Sequence, residues 1–298
     1  MMNRRPEEIG AKMDALELWN VLEPYNFAVK PKGTVFPYFC TILKGDGKPV
    51  KVRFLMLEGW QTLHDYVRAR FDRNFGIYST PVEMPHLELV VLTNGETKVF
   101  RHDTGYMPVE ASGAQRELAA RILWEAYGVM MRVEADAKLP MRFSADKAIF
   151  ARVETADGQW EDRPLEIPDP PPYTEKISFP KGDIKQAQDL PFAKEDVLEL
   201  DFGLLQNVMT KEARPRCVYE LKAVDQKTRT VVIASRVSMH PEAGLRGLWE
   251  SMPAQVLKEL IRLGRIPGEI KTRSGRVFRF LRPLCLDLPF KLSLHDKF

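Results

Sequence analysis

Apolar and polar positions alternate with two different periods along this chain, and the switches between them outline its elements. Residues Glu7 to Leu22 place Ile9, Met13, Leu16, Trp19 and Val21 or Leu22 near a 3.6-residue spacing, which predicts an opening helix. FPYFCTIL (36–43) and VKVRFLML (50–57) predict strands joined at Asp46-Gly47, a dipeptide suited to a hairpin turn that needs φ > 0. Residues 58–73 return to a helical stripe of Trp60, Leu63, Tyr66, Val67 and Phe71. HLELVVLT (86–93) predicts a buried strand, paired across Asn94-Gly95 with ETKVFRHD (96–103). Residues 113–130 predict a helix with Leu118, Ile122, Leu123, Tyr127 and Met130 on its apolar side. KAIFARVE (147–154) predicts a further strand. Residues 1–163 therefore predict an N-terminal α+β domain with an antiparallel sheet.

PLEIPDPPPYTEKISFPKGD follows, with Pro168, Pro170, Pro171 and Pro172 closely spaced. Proline fixes φ and removes an N–H donor, so residues 164–189 predict a proline-rich, semi-rigid linker. A proline-rich ligand for an aromatic groove is the functional alternative; connecting two halves is the commoner use.

The last stretch, 190–298, predicts a second domain. DVLELDF (196–202), CVYELKAVD (217–225) and TVVIASRV (230–237) predict three strands, the last two joined by Gln226–Arg229. A helical stretch covers 242–264, with Ser251 as the cap of a fresh helix, Pro253 in its first turn and Gly264 as its stop. GEIKTR (268–273) predicts a short strand, Ser274 the cap of a helix over 275–286, and FKLSL (290–294) a last strand.

That order is βββαβαβ. It resembles the ribonuclease H-like fold as found in integrase and transposase cores. LELDF (198–202) resembles the first strand, with Asp201 where the first catalytic acid would stand. AVDQKTRTVVIASRV (223–237) resembles the second and third strands, and GRIPGEIKTRSGRVF (264–278) the fourth strand and following helix. In that family paired acids hold two divalent metals that clamp the attacking and leaving oxygens. Here Arg273 stands where the second acid would be, and a guanidinium ligates no metal. The third acid belongs to a helix after the last strand, which this sequence does not predict. Asp225 reads as a turn residue. The resemblance therefore implies a scaffold lacking its catalytic acids. The whole chain also resembles an uncharacterised bacterial family with an N-terminal α+β region, a proline-rich connector and such a C-terminal domain. That likeness implies a bacterial, cytoplasmic setting and no particular chemistry.

Composition changes little. The chain has 298 residues, 44% hydrophobic and 29% charged, ordinary for a globular protein of about two domains. The net charge of +3 does not by itself demand a polyanionic partner. No signal-peptide h-region and no membrane-length apolar run is evident. Cys40, Cys217 and Cys285 are odd in number and set among apolar residues, which predicts reduced core thiols. Trp19, Trp60, Trp124, Trp160 and Trp249 read as core.

Candidate chemistry is sparse. His64, His86, His102, His240 and His295 form no i,i+4 pair and no zinc spacing, so local spacing predicts no metal site. KGDGKP does not fit a phosphate loop, and no dinucleotide fingerprint or nucleophile elbow occurs, so no cofactor is predicted. His102-Asp103 could serve acid–base work but reads as a turn before Gly105. The acidic pairs Glu7-Glu8, Glu161-Asp162 and Glu195-Asp196 suit helix starts or loops. One cluster stands out: residues 258–282 hold eight cations against Glu259 and Glu269. Lys258, Arg262, Lys271, Arg273, Arg276, Arg279 and Arg282 are the candidate nucleic-acid contacts, provided Arg276, Arg279 and Arg282 point outward as a ridge. A solvated helix face is the plainer reading. The sequence thus predicts a non-catalytic cytosolic binding protein whose partner is a protein or a nucleic acid. A metal-dependent nuclease using Asp201 is a third possibility.

Overall fold

A computed structural model describes residues 6–15, 27–44, 49–71, 84–136, 138–139, 147–170 and 176–295. It is mixed α+β and divides into two compact units, the described residues up to 170 falling mainly in the first and those of 176–295 in the second. Residues 104–107 count with the second unit.

In the first unit α1 (Pro6–Ala15), α2 (Gly59–Phe71) and α3 (Gly113–Ala135) accompany eight strands. These are β1 (Ala28–Lys30), β2 (Tyr38–Lys44), β3 (Val50–Glu58), β4 (His86–Leu92), β5 (Thr97–His102), β6 (Val109–Glu110), β7 (Ala148–Glu154) and β8 (Trp160–Glu166). They form one sheet in the order β6-β5-β4-β3-β2-β1-β7-β8. The expected antiparallel sheet is corrected to a mixed one, because β1 pairs β7 in parallel. β1 is only three residues long, too short for periodicity to reveal. The Asn94-Gly95 hairpin forms as expected: Gly95 adopts φ +84, and Asn94 Oδ1 accepts from the Glu96 N–H. The Asp46-Gly47 turn and residues 16–26, including Trp19, lie outside the described residues.

Core packing uses both sheet faces. Val52, Phe54, Met56, Leu87, Leu89 and Val99 pack with Ile122, Leu123, Val129 and Met130 of α3. Phe39, Leu55, Leu57, Ile149 and Val153 pack with Leu63 of α2 on the other side. Ser112 caps α3 reciprocally with Gln115, and this helix runs five residues beyond its expected end, with Val133 packed against the core. Cys40 and Cys217 are buried and Cys285 is half-buried, all as free thiols. Burial alone pushes the Cys40 thiol up to about 12.

The stretch read as linker, 164–189, holds more order than proline content predicts. β8 continues through Pro164 to Glu166, tolerated because β8 is the sheet edge and needs no outward N–H. α4 (Lys181–Gln188) begins directly after Pro180, with Ala187 buried.

The second unit contains β9 (Phe192–Met209), β10 (Cys217–Asp225), β11 (Val231–Ser238), α5 (Gly244–Leu263), β12 (Ile266–Thr272), α6 (Gly275–Leu281), a 3₁₀ turn (Arg282–Leu286) and β13 (Lys291–Leu294). The sheet order is β11-β10-β9-β12-β13. β9 is antiparallel to β10, β10 to β11, while β12 runs parallel to β9 and β13 parallel to β12. Glu195 and Asp196, expected in a loop or at a helix start, sit within β9, and Glu161 and Asp162 within β8.

α5 is one helix, not a fresh helix started by Ser251. Leu245, Leu248, Trp249 and Met252 continue the stripe of Val256, Leu257 and Leu260, all buried. Ser251 Oγ donates to the Leu248 carbonyl, and Pro253 sits in the helix interior. The lost backbone bond is offset by burial of the continuous stripe. Gly264 ends the helix at φ +76, as expected, and Ser274 caps α6 by accepting from the Val277 N–H at 3.2 Å. Gly268 is required by close approach: a Cβ there would lie 1.8 Å from the Lys194 carbonyl oxygen. No helix among the described residues is long and apolar enough to cross a membrane.

Candidate functional site

Alternation in the C-terminal sheet sorts its side chains onto two faces. Leu198, Leu200 and Phe202 of β9 are buried, with Phe202 edge-on to Trp249 of α5 at 5.1 Å. Glu199 and Asp201 therefore point to the opposite face, joined there by Lys222 of β10 and by Lys271 and Arg273 at the end of β12. Ile270 and Thr272, which alternate with that pair, are buried. The strand order reverses here, between β9 and β12.

Asp201 and Arg273 meet here. β12 lies parallel to β9 with Lys271 opposite Glu199, which brings the residue after β12 level with Asp201. Arg273 Nη2 donates to Asp201 Oδ2 at 2.5 Å. The position expected for a first metal-binding acid is thus held by a guanidinium. Asp225 ends β10, and its side chain caps the turn that follows. Its Oδ1 accepts from the Lys227 and Thr228 N–H groups, and those bonds, led by Thr228, hold its carboxyl below the usual range.

The seven cations proposed for nucleic acid are dispersed. Lys271 and Arg273 lie on the face just described, with Lys271 Nζ donating to Gln226 Oε1. Lys258 and Arg262 are exposed on α5, which packs on the other face; Arg262 pairs with Glu259 at 2.8 Å. Arg276 and Arg279 are half-buried rather than outward: Arg276 lies over the Trp249 ring at 3.8 Å and Arg279 over Phe280 at 5.7 Å. Arg282 is exposed. An i,i+3 spacing of arginines cannot distinguish an outward ridge from stems laid over aromatic rings.

The first unit holds a second cluster that local spacing concealed. β4 is buried almost throughout, yet carries His86 and Glu88, which are 0% and 3% exposed. They are two apart and share a face. The β4–β5 register sets His102, also 3% exposed, directly opposite His86. The two imidazoles stack with centroids 4.0 Å apart. His102 Nε2 donates to Glu88 Oε2 at 2.6 Å, and Arg53 Nε of β3 donates to Glu88 Oε1. His86 Nδ1 lies 2.8 Å from the Met84 carbonyl, which only accepts, so Nδ1 carries the proton. His102 therefore ends a strand and is not the turn residue expected; Asp103, beyond it, accepts from Arg101 Nε.

Burial and the facing His102 push His86 down to about 3. Burial alone would raise Glu88, but the hydrogen bonds from His102 and Arg53 and the Arg53 charge outweigh it and hold the carboxyl at about 2. The only sequence signal of this cluster was two polar residues in the otherwise apolar HLELVVL run.

Residues 183–298 match a family described as Domain of unknown function (DUF6930). The match supports an uncharacterised family for this region and carries no activity with it. No curated protein and no solved structure matches the chain.

Proposed function

We propose that the protein is a non-catalytic two-domain binding protein whose C-terminal domain, residues 190–298, is a ribonuclease H-like scaffold without its catalytic acids. The observation that carries this reading is the Arg273–Asp201 ion pair. A two-metal site needs converging carboxylates; here a fixed cation occupies the neighbouring strand end and neutralises the acid. The βββαβαβ order and the meander of β9, β10 and β11 flanked by parallel β12 and β13 support the fold assignment. The polar face around Asp201, Lys222, Lys271 and Arg273 is the surface offered to a partner.

The test is incubation of the full chain with labelled single- and double-stranded DNA and RNA in Mg²⁺ or Mn²⁺. No cleavage is expected. Cleavage that disappears in Asp201→Asn overturns the reading. A second reading, nucleic-acid binding through residues 258–282, rests on the exposure of Lys258, Arg262 and Arg282. It expects fluorescence anisotropy to report binding that weakens with salt and weakens again in Lys258→Glu/Arg282→Glu. These positions are preferable to Arg276 and Arg279, where charge reversal would also disturb the Trp249 contact.

A further inference from the structure

An open sheet has two end strands whose outer N–H and C=O groups face away from the sheet, and proteins guard such ends with brevity, charge, bulges or proline. Among the described residues three of the four sheet ends are guarded in this way. β6 is two residues long. β8 carries Pro164 with Glu161, Asp162, Arg163 and Glu166. β13 is four residues long and opens on Lys291, 74% exposed. β11 is the exception. It ends the second unit's sheet and runs eight residues as VVIASRVS, with four β-branched side chains, no proline and one charge, Arg236. Its bulge lies at the Val231 end and leaves Ile233–Ser238 in regular register with β10. Val231 is 52% exposed.

We propose that β11 pairs antiparallel with β11 of a second copy of this chain, about a two-fold axis at Ser235, so that two C-terminal sheets join into one. The surface used is the edge of the sheet, not the polar face assigned above to a partner. A two-fold axis perpendicular to the sheet keeps each face on its own side and closes the assembly at two copies. One face of β11 lies under α5: Ile233 is 1% exposed, and Ser235 Oγ donates to Glu259 Oε1. In this register Ile233 stands opposite the partner's Val237 on that covered face, twice by symmetry, and the apolar layer continues across the junction. On the open face, which Ala234 and Arg236 share with Lys222 and Glu220 of β10, Arg236 stands opposite the partner's Ala234. No like charges meet. An axis at Arg236 itself would set two guanidiniums face to face. The sequence of β11 thus meets, against itself, both conditions that a paired strand must satisfy, apolar opposite apolar and charge opposite a small neutral residue. That self-complementarity selects a second copy as the occupant.

The experiment is sedimentation of the full chain over a concentration series, with hydrogen exchange at the two ends of the series. One strand pair makes an interface at the small end of the range, so a dimer with Kd on the order of 10 µM is expected. Amide protection over 231–238 should rise with concentration. Ala234 is exposed, so it can be exchanged without disturbing the core. Ala234→Lys sets a cation opposite the partner's Arg236 twice and should weaken association about 10-fold; Ala234→Glu sets an anion there and should strengthen it several-fold. Misfolding would weaken both, so the opposite signs separate pairing from a folding defect. A wild-type chain that stays monomeric up to about 0.5 mM overturns the proposal. So do two variants that move association in the same direction, or protection that rises over 291–294 instead of 231–238.

Discussion

Acidification should destabilise the first unit well before its carboxylates titrate, and His86 is the reason. The imidazole is fully buried, and its folded-state value stands near 3 against an ordinary 6.5. Below pH 6.5 the unfolded chain takes up a proton that the folded chain refuses, so stability falls as pH falls through the window from 6.5 towards 3. Each unit of separation is worth about 1.4 kcal/mol, so lowering the pH from 6.5 to 4.5 removes on the order of 2–3 kcal/mol. Glu88 has the same sign in a lower window. Its carboxyl is depressed to about 2, so its contribution is complete above its ordinary value of 4.5 and is lost only below that. The interval above 4.5 therefore isolates the histidine. Urea unfolding in chelating buffer at several pH values, for the wild-type chain and His86→Phe, measures it. The variant keeps an aromatic ring against His102 and removes the titrating group. A shallower pH slope for the variant, by roughly 2–3 kcal/mol across the window, is expected. Identical slopes would refute the argument that burial keeps His86 neutral.

Other consequences follow from the same geometry. Glu88→Gln leaves His102 and the partly exposed Arg53 facing a neutral amide and should cost about 1–3 kcal/mol, read as a lowered urea midpoint; no measurable loss would mean the cluster is solvated. Arg273→Ala, by contrast, removes an ion pair whose side chains are 55% and 40% exposed, and should change stability by less than about 1 kcal/mol. A larger loss would make that pair structural. Gly268→Ala drives a Cβ into the Lys194 carbonyl oxygen and should cost about 3 kcal/mol, seen as earlier unfolding of the second unit; a neutral result would mean the β9–β12 register relaxes freely.

Periodicity, caps and turn chemistry were enough to read most elements of this chain. The β4–β5 hairpin, the stripe of α3, the Ser274 cap and the Gly264 stop are local events, decided by residues within a few positions of one another. Where local rules competed with packing, packing prevailed. Pro253 and Ser251 read as a new helix start, yet the apolar stripe before them was in phase with the one after, and α5 ran through. Pro164 read as linker and became an edge strand, where the missing N–H costs nothing. β1 escaped notice because three residues carry no period, and its parallel pairing with β7 joins residues more than a hundred positions apart.

The candidate sites divide along the same line. Asp201 and Arg273 could be named from the sequence, because each ends a recognisable strand motif; that they touch follows only from the parallel register of β9 and β12. Seven cations close in sequence proved distant in direction, since neighbouring strand residues alternate faces and helical arginines can fold back onto aromatic rings. The histidine cluster lay hidden for the converse reason. His86 and His102 are sixteen positions apart with no motif between them, and only cross-strand register stacks them around one carboxylate. Local sequence determined which elements form, because backbone dihedral preferences and side-chain period act over a few residues. Tertiary structure decided which charges meet, because that depends on strand order and register, which distant apolar residues select as they are buried together.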